Sequence, residues 1–104
     1  MDFSDKKVLI TGASRGIGRA TAIAFAKAGA QVAIHYRQQR QAAEEVLAAL
    51  TGTGHIIVQA DVADPLAVEQ MVTEAITALR QIDILVNSAG VFYDHPLDKV
   101  SYQE

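Results

Sequence analysis

The segment spanning residues 11–18 constrains the fold of this chain more than any other part of the sequence. It reads Thr-Gly-Ala-Ser-Arg-Gly-Ile-Gly, follows a short apolar run and leads into an alanine-rich stretch with helical spacing. Glycines at a strand-to-helix junction allow a tight turn and a close approach of the backbone to a ligand. The helix beginning there directs its free N–H groups and positive dipole end toward the same place. The segment therefore predicts a diphosphate site.

Composition limits the classes of protein to be considered. The 104 residues suffice for one small domain, 1–104. A net charge of −3 argues against nucleic-acid binding, and the absence of cysteine excludes disulfides and thiolate metal sites. The polar N-terminus does not resemble a signal peptide, and no apolar run approaches the length of a membrane span. We expect a cytoplasmic protein with no membrane or nucleic-acid partner.

Strand and helix patterns alternate along the chain. The predicted strands are 7–11, 31–36, 55–60 and 82–86, and the predicted helices are 15–28, 39–50 and 65–80. Asp64 suits the N-cap of the third helix and Pro65 its first position. Its expected buried stripe is Val68, Val72, Ala75, Ile76 and Leu79.

This alternation predicts an α/β fold, a Rossmann-like three-layer αβα arrangement with a parallel sheet of about four strands in the order 3-2-1-4. The first two helices would lie on one face and the third on the other. Ligands bind such sheets at the carboxyl ends of the strands, where the strand order reverses. That point lies between strands 1 and 4, so the glycine segment and residues 87–90 would meet there.

Three motifs together resemble the short-chain dehydrogenase/reductase family. They are the glycine segment, Asp61-Val62 after strand 3, and Asn87-Ser88-Ala89-Gly90 after strand 4. The resemblance covers the first half of such an enzyme. A P-loop is excluded because Arg19 and Ala20, not a Lys-Ser/Thr pair, follow the last glycine.

The resemblance implies a dinucleotide site. Its implied residues are Gly12, Ser14, Arg15, Gly16, Ile17, Gly18, Asp61, Val62, Asn87, Ala89 and Gly90. The glycine segment would line the pyrophosphate and adenosine ribose, and Gly18 would let the helix pack closely. Asp61 would accept a hydrogen bond from the adenine, although a strand-end cap or a solvated carboxylate is the alternative. Asn87 would tie the sheet together, and Ser88 departs from the asparagine usual in the family.

The end of strand 2 bears on the choice of cofactor. An NAD site favours a carboxylate there, about 20 residues past the glycines, to bind the ribose 2′-hydroxyl. The chain instead reads His35-Tyr36-Arg37. The guanidinium groups of Arg37 and Arg15 can pair with a 2′-phosphate. We therefore predict that NADP is preferred over NAD, the alternative being that both arginines are solvated surface cations.

The histidines are weaker candidates. His35, His55 and His95 lack metal-ligand spacing, so no metal site is predicted. We interpret His35 and His55 as ordinary strand-end residues. By the resemblance, His95 lies where a substrate would approach, together with Tyr93 and Asp94.

No catalytic residue is predicted within the chain. The family uses a serine, a tyrosine and a lysine, with the tyrosine four residues before the lysine, and no Tyr-x-x-x-Lys occurs here. Tyr102 is interpreted as a surface residue. Ser101 and Glu104 have capping-box spacing, which indicates a helix beginning as the sequence stops.

We therefore expect this chain to be the N-terminal part of an NAD(P)-dependent oxidoreductase that reduces a carbonyl or oxidises an alcohol by hydride transfer. We expect the chain alone to be inactive. Among relatives, 3-oxoacyl-carrier-protein reductases and glucose dehydrogenases are the most similar in character. A stand-alone dinucleotide-binding module and a non-catalytic, self-associating fragment are the alternatives. Residues 82–86 have the composition of a central strand but would lie at a sheet edge, which predicts a homo-oligomer formed through that strand.

Overall fold

The computed structural model describes residues 2–14 and 16–88, which contain a regular alternation of strands and helices. The elements are β1 (Lys7–Thr11), α1 (Gly16–Lys27), β2 (Gln31–Tyr36), α2 (Arg40–Ala49), β3 (Ile56–Gln59), α3 (Pro65–Leu79) and β4 (Ile84–Asn87). The strands form one parallel sheet in the order β3-β2-β1-β4. The predicted fold class and strand order are confirmed. The predicted helix start at Ser101 lies outside the described residues.

The two faces of the sheet are covered by different helices. Side chains alternate across a strand, so Val8 and Val32 face one side while Leu9 and Ala33 face the other. The first side packs against α1 and α2, and the second packs against α3. This is the predicted three-layer arrangement, and it leaves the carboxyl ends of β1, β2 and β3 along one edge of the molecule.

The ends of α3 are set by local hydrogen bonds. Asp64 is the N-cap, and its Oδ1 accepts from the backbone N–H groups of Leu66 at 3.1 Å and Ala67 at 3.4 Å. Pro65 follows in the first turn, where its missing N–H has no consequence. Arg80 ends the helix in the left-handed region with φ 82°. The predicted start of this helix is therefore correct.

The packed faces of two helices differ from what apolar spacing suggests. The buried residues of α1 are Gly18, Ala22 and Ala26, while Ile17 is 80% exposed. Small residues at every fourth position let α1 lie close to the sheet, with Ile23 and Phe25 partly buried at the sides of this contact. In α3, Met71 is buried and Ile76 is 43% exposed, so its inclusion in the buried stripe is wrong. The reason is that α3 lies over β2 and β3 and leaves its Ile76 flank uncovered by any described element.

β4 begins two residues later than predicted, at Ile84 instead of Ile82. Asp83 holds the start of β1 without joining the strand: its backbone N–H donates to the Lys7 carbonyl at 2.8 Å, and its Oδ2 accepts from the Lys7 N–H at 2.8 Å. Hydrogen bonds from Gln81 and from the Lys7 backbone lower the pKa of the Asp83 carboxyl. All other boundaries agree with the predictions to within one residue. None of the helices in the described ranges is long and apolar enough to cross a lipid bilayer.

Candidate functional site

A glycine turn connects β1 to α1 at the carboxyl edge of the sheet. Gly12 and Gly16 have φ values of 65° and 62°, which residues with a Cβ adopt at a cost. The turn brings the N-terminus of α1 to the end of β1, where the first N–H groups of the helix lack intrahelical partners. No acidic residue lies in the first turn of α1, so nothing on the helix itself neutralises its positive end.

Gly18 allows α1 to approach both the turn and the end of β4. A Cβ on Gly18 would overlap the Gly12 carbonyl oxygen and lie 2.7 Å from Ser88 Oγ. Around Gly16, in contrast, a Cβ would meet nothing within 4 Å. The last glycine of the segment is therefore packed against protein, and the middle one faces open space at the helix N-terminus.

The ends of β1 and β4 are joined by side-chain hydrogen bonds. The Thr11 hydroxyl donates to Asn87 Oδ1 at 2.9 Å and accepts from the Ser88 N–H at 3.0 Å. Ser88 Oγ donates to the Thr11 carbonyl at 2.5 Å. Ser88 thus fastens β4 to β1 beside the glycine turn.

Arg37 and Asp61 follow β2 and β3 at the same edge of the sheet. Arg37 Nη2 lies 3.8 Å from Asp61 Oδ2, and both side chains are substantially exposed. Asp61 Oδ1 accepts from the Ala63 N–H at 2.9 Å, so one carboxylate oxygen caps the turn after β3. This is the alternative role that the sequence left open for Asp61. The Arg37 carbonyl accepts from Gln59 Nε2 at 2.9 Å, which ties the two strand ends together.

His35 lies between these two groups of residues and is only 2% exposed. Its Nδ1 accepts from the Gly12 N–H at 2.9 Å, and its Nε2 lies 2.8 Å from the Ala60 carbonyl oxygen. Burial lowers the pKa of the imidazole from its ordinary value of 6.5. Its interpretation as an ordinary strand-end residue therefore misses its contacts. The signal available in the sequence is a polar residue within the apolar run of β2.

The structure arranges the predicted site residues in two groups. Gly12 and Gly18 meet Ser88 at the ends of β1 and β4, while Arg37 meets Asp61 at the ends of β2 and β3. Ser14 and Val62 are half-buried in the turns that follow β1 and β3. The predicted site residues Arg15, Ala89 and Gly90, and the weaker candidates Tyr93, Asp94, His95 and Tyr102, lie outside the described residues. No three metal-binding side chains cluster within 2–14 and 16–88.

A parallel sheet in this order, with a glycine turn at the end of an inner strand, defines a doubly wound α/β protein of the Rossmann type. Residues 6–104 match the family model described as short chain dehydrogenase. The chain therefore belongs to the short-chain dehydrogenase family.

Individual relatives agree with this assignment. The chain is 39% identical over 104 residues to a glucose 1-dehydrogenase from Gluconobacter oxydans, covering 98% of this chain and 39% of that protein. It is 41% identical over 98 residues to a 3-oxoacyl-[acyl-carrier-protein] reductase from Synechocystis sp., covering 92% of this chain and 40% of that protein.

A solved structure gives the same result. The chain resembles a short chain dehydrogenase from Burkholderia cenocepacia in complex with NADP, with a TM-score of 0.81 and 41% identity over 96% of this chain and 44% of that one. The chain thus spans about two-fifths of the length of the relatives it matches.

Proposed function

We propose that this chain binds the adenosine diphosphate portion of a nicotinamide dinucleotide at the carboxyl edge of its sheet. The observation that carries the proposal is the open N-terminus of α1, where Gly16 faces free space and Ile17 is 80% exposed. Unpaired N–H groups at a helix N-terminus are suited to a diphosphate. The absence of an acidic residue in the first helical turn favours an anion there.

The residues proposed to hold the dinucleotide are those of the three motifs. The turn residues Gly12, Ser14 and Arg15, with Gly16, Ile17 and Gly18, would hold the pyrophosphate and adenosine ribose. Asp61 and Val62 would contact the adenine, Asn87 would hold the end of β4 in place, and Ala89 and Gly90 would leave room for the remaining ribose. Because the Gly12 N–H already donates to His35, the amides of the α1 N-terminus are the ones available to the diphosphate.

We propose that NADP is preferred over NAD. Arg37 is exposed at the end of β2, and its contact with Asp61 is 3.8 Å long and solvent-exposed, so the guanidinium can turn to a 2′-phosphate at little cost. Arg15, in the glycine turn, is the proposed second cation. The NADP complex of the Burkholderia relative supports this choice.

The reaction proposed for the whole protein is hydride transfer between the nicotinamide, which supplies or accepts the hydride, and a small carbonyl compound or alcohol. The names of the relatives point to sugars and acyl thioesters as substrate classes. None of the tyrosines in this sequence precedes a lysine by four residues, so we propose that this chain contributes cofactor binding and not the proton transfer.

A fluorescence titration of the purified 104-residue chain with NADPH and NADH tests the binding proposal. We expect saturable binding of both, with NADPH bound more tightly at low salt and the difference reduced at high salt, since a charge contact is screened. Assays with glucose and with a 3-oxoacyl thioester should show no turnover by this chain alone. Failure to bind either nucleotide would contradict the cofactor proposal, and equal affinities would contradict the preference for NADP.

We also propose that the chain forms a homo-oligomer through the edge of β4. β4 pairs with β1 along one edge. Leu85 lies on the same face of the sheet as α3, but α3 does not reach it, and its side chain is 61% exposed. Within residues 2–14 and 16–88 no strand pairs with the other edge of β4, and such an edge next to exposed apolar side chains favours pairing with a second copy.

A further inference from the structure

His35 holds two consecutive amides of the glycine turn. The Gly12 N–H donates to its Nδ1 at 2.9 Å, and the Ala13 N–H donates to its backbone carbonyl at 3.0 Å. On the other side of the ring, Nε2 lies 2.8 Å from the Ala60 carbonyl oxygen, just after β3. One buried side chain therefore joins the carboxyl ends of three neighbouring strands.

The two partners of the ring define its tautomer. A backbone N–H can only donate, so Nδ1 must be the unprotonated nitrogen that accepts from Gly12. The Ala60 carbonyl can only accept, so Nε2 must carry the proton. Adding a second proton to the imidazole would place an N–H at Nδ1 directly against the Gly12 N–H. The Gly12 contact can therefore exist only while the ring is neutral.

We propose that neutral His35 is a positioning residue that holds the glycine turn against the end of β3 in the shape that binds the dinucleotide. Protonation of the ring breaks the Gly12 hydrogen bond and releases the turn. This inference rests on the proposed cofactor site, because the residues it joins are those assigned to the pyrophosphate and to the adenine. Gly12 lies on one side of the ring, and Ala60 immediately precedes Asp61 on the other.

The surroundings of the ring keep it neutral near pH 7. Alternation along β2 places His35 on the same face as Ala33, where α3 contributes the apolar residues Met71 and Ala75. Burial is the largest cause of the lowered imidazole pKa, and the hydrogen bond to Ala60 opposes it. Burying a neutral imidazole costs little free energy when both nitrogens are hydrogen-bonded. Burying the imidazolium costs more, because its second N–H has no acceptor.

The elements packed around the ring carry several charged groups. Arg37 and Asp61 follow β2 and β3 and pair with each other. On α3, Glu69 and Glu74 are exposed to solvent, and Asp64 caps the helix. In the described part of the chain, no charged group contributes to the shift of the His35 pKa. The shift therefore comes from burial of the ring and from its hydrogen bond to Ala60.

His55 provides a matched control at the opposite edge of the sheet. Its Nδ1 accepts from the Val32 N–H at 3.1 Å, and its Nε2 lies 2.7 Å from the Thr51 carbonyl oxygen. The two imidazoles thus use the same tautomer and the same type of partners. His55 connects the start of β2 to the loop after α2, far from the glycine turn.

Nuclear magnetic resonance of the unliganded chain tests the contact without relying on cofactor binding. Long-range ¹H–¹⁵N spectra should show His35 as the Nε2–H tautomer, with a titration midpoint below 6.5. The Gly12 amide resonance should shift with that same midpoint and should lose this shift in His35→Asn, whose Oδ1 can accept from Gly12 at any pH. A Gly12 amide that is indifferent to the His35 midpoint would overturn the inference.

Titrations with NADPH at a series of pH values test the link to binding. If only the neutral ring is competent, the wild-type Kd rises by up to about tenfold per pH unit below the His35 midpoint. The ratio of wild-type to His35→Asn affinity at each pH cancels the titration of the nucleotide's own 2′-phosphate, whose second pKa is about 6. We expect His35→Asn to remove the extra rise of the Kd in acid. His35→Gln should weaken binding at every pH because it leaves the Gly12 N–H unpaired. His55→Asn should behave as wild type.

A wild-type to His35→Asn ratio that is constant with pH would contradict the positioning role, even if both proteins bind NADPH. If the wild-type chain binds neither NADPH nor NADH at pH 8, the proposed function fails instead. In that case the coupled titration of His35 and Gly12 still decides whether the ring holds the turn.

Discussion

Arg37 and Asp61 face each other across the carboxyl ends of β2 and β3, with Arg37 Nη2 3.8 Å from Asp61 Oδ2. The two side chains are 61% and 46% exposed, and ion pairs of this kind contribute about 0–1 kcal/mol. The carboxylate therefore keeps the guanidinium near the strand ends without binding it strongly. A ligand phosphate that pairs with Arg37 through two charge-assisted hydrogen bonds would bind the guanidinium more strongly than Asp61 does.

Replacing Arg37 with alanine should change the choice of nucleotide. We expect Arg37→Ala to weaken NADPH binding about tenfold, because a hydrogen-bonded charge contact contributes about 1.5 kcal/mol at an exposed site. NADH, which has no 2′-phosphate, should bind as before. Fluorescence titration measures both, with Lys27→Ala at the exposed far end of α1 as the charge-matched control. Equal losses for NADPH and NADH would argue against a contact with the 2′-phosphate.

Adding a methyl group at Gly18 should be far more damaging than adding one at Gly16. In Gly18→Ala the new Cβ overlaps the Gly12 carbonyl oxygen and crowds Ser88 Oγ, so α1 must move away from the turn. We expect a loss of about 3 kcal/mol in the free energy of unfolding. Gly16→Ala meets no neighbour and should cost about 1 kcal/mol from its φ alone. Urea denaturation of both variants measures the two losses. Equal losses, or a larger loss in Gly16→Ala, would contradict the prediction.

The N-cap of α3 should contribute measurably to stability. We expect Asp64→Ala to reduce the free energy of unfolding by about 1 kcal/mol, because the Leu66 and Ala67 N–H groups lose their acceptor. Asp64→Asn keeps an oxygen in the same place and should retain most of that stability. Thermal or urea unfolding distinguishes the two, and similar losses in both would point to the charge of Asp64 and not to its capping bonds.

A charge on the exposed side of β4 should weaken self-association. Leu85 and Leu66 are 61% and 62% exposed, but only Leu85 lies on the edge strand. Sedimentation velocity should show the wild-type chain and Leu66→Glu as oligomers and Leu85→Glu shifted toward monomer, since a buried carboxylate is costly. A wild-type chain that stays monomeric, or an equal effect of both substitutions, would refute association through β4.

The stability of the fold should fall in mild acid because of His35. Burial lowers the folded-state pKa of this imidazole below the 6.5 of the unfolded chain, so the unfolded state binds the proton more readily. The contribution of the neutral ring is complete above pH 6.5 and disappears as the pH falls through the folded-state pKa. Urea midpoints across this range should decline in the wild type and less in His35→Asn. The carboxyl of Asp83, with its pKa lowered from 3.8, acts in a separate and more acidic range.

The sequence is sufficient for the framework and less so for the contacts within it. Apolar runs, glycine breaks and the Asp64-Pro65 pair correctly predict each described element and the order of the strands. The packed face of α1 is not evident from apolar spacing, because Gly18, Ala22 and Ala26 pack through their small size. The contacts of His35 are missed because its partners are backbone groups far away in the chain, at Gly12 and Ala60.

The hydrogen bonds at the two ends of β1 have a consequence for the short strand beside it. Lys7 is held by Asp83 at one end, and Thr11 is held by Asn87 and Ser88 at the other. β4 therefore cannot slide by even one residue without breaking both fastenings, and a slip of one would also reverse which side chains face α3. In the described part of the chain the other edge of β4 has no partner strand, and a strand added there would meet amides and carbonyls whose positions are already determined by the pairing with β1. The register of any strand that pairs with β4 is therefore fixed in advance by the hydrogen bonds that hold β4 to β1.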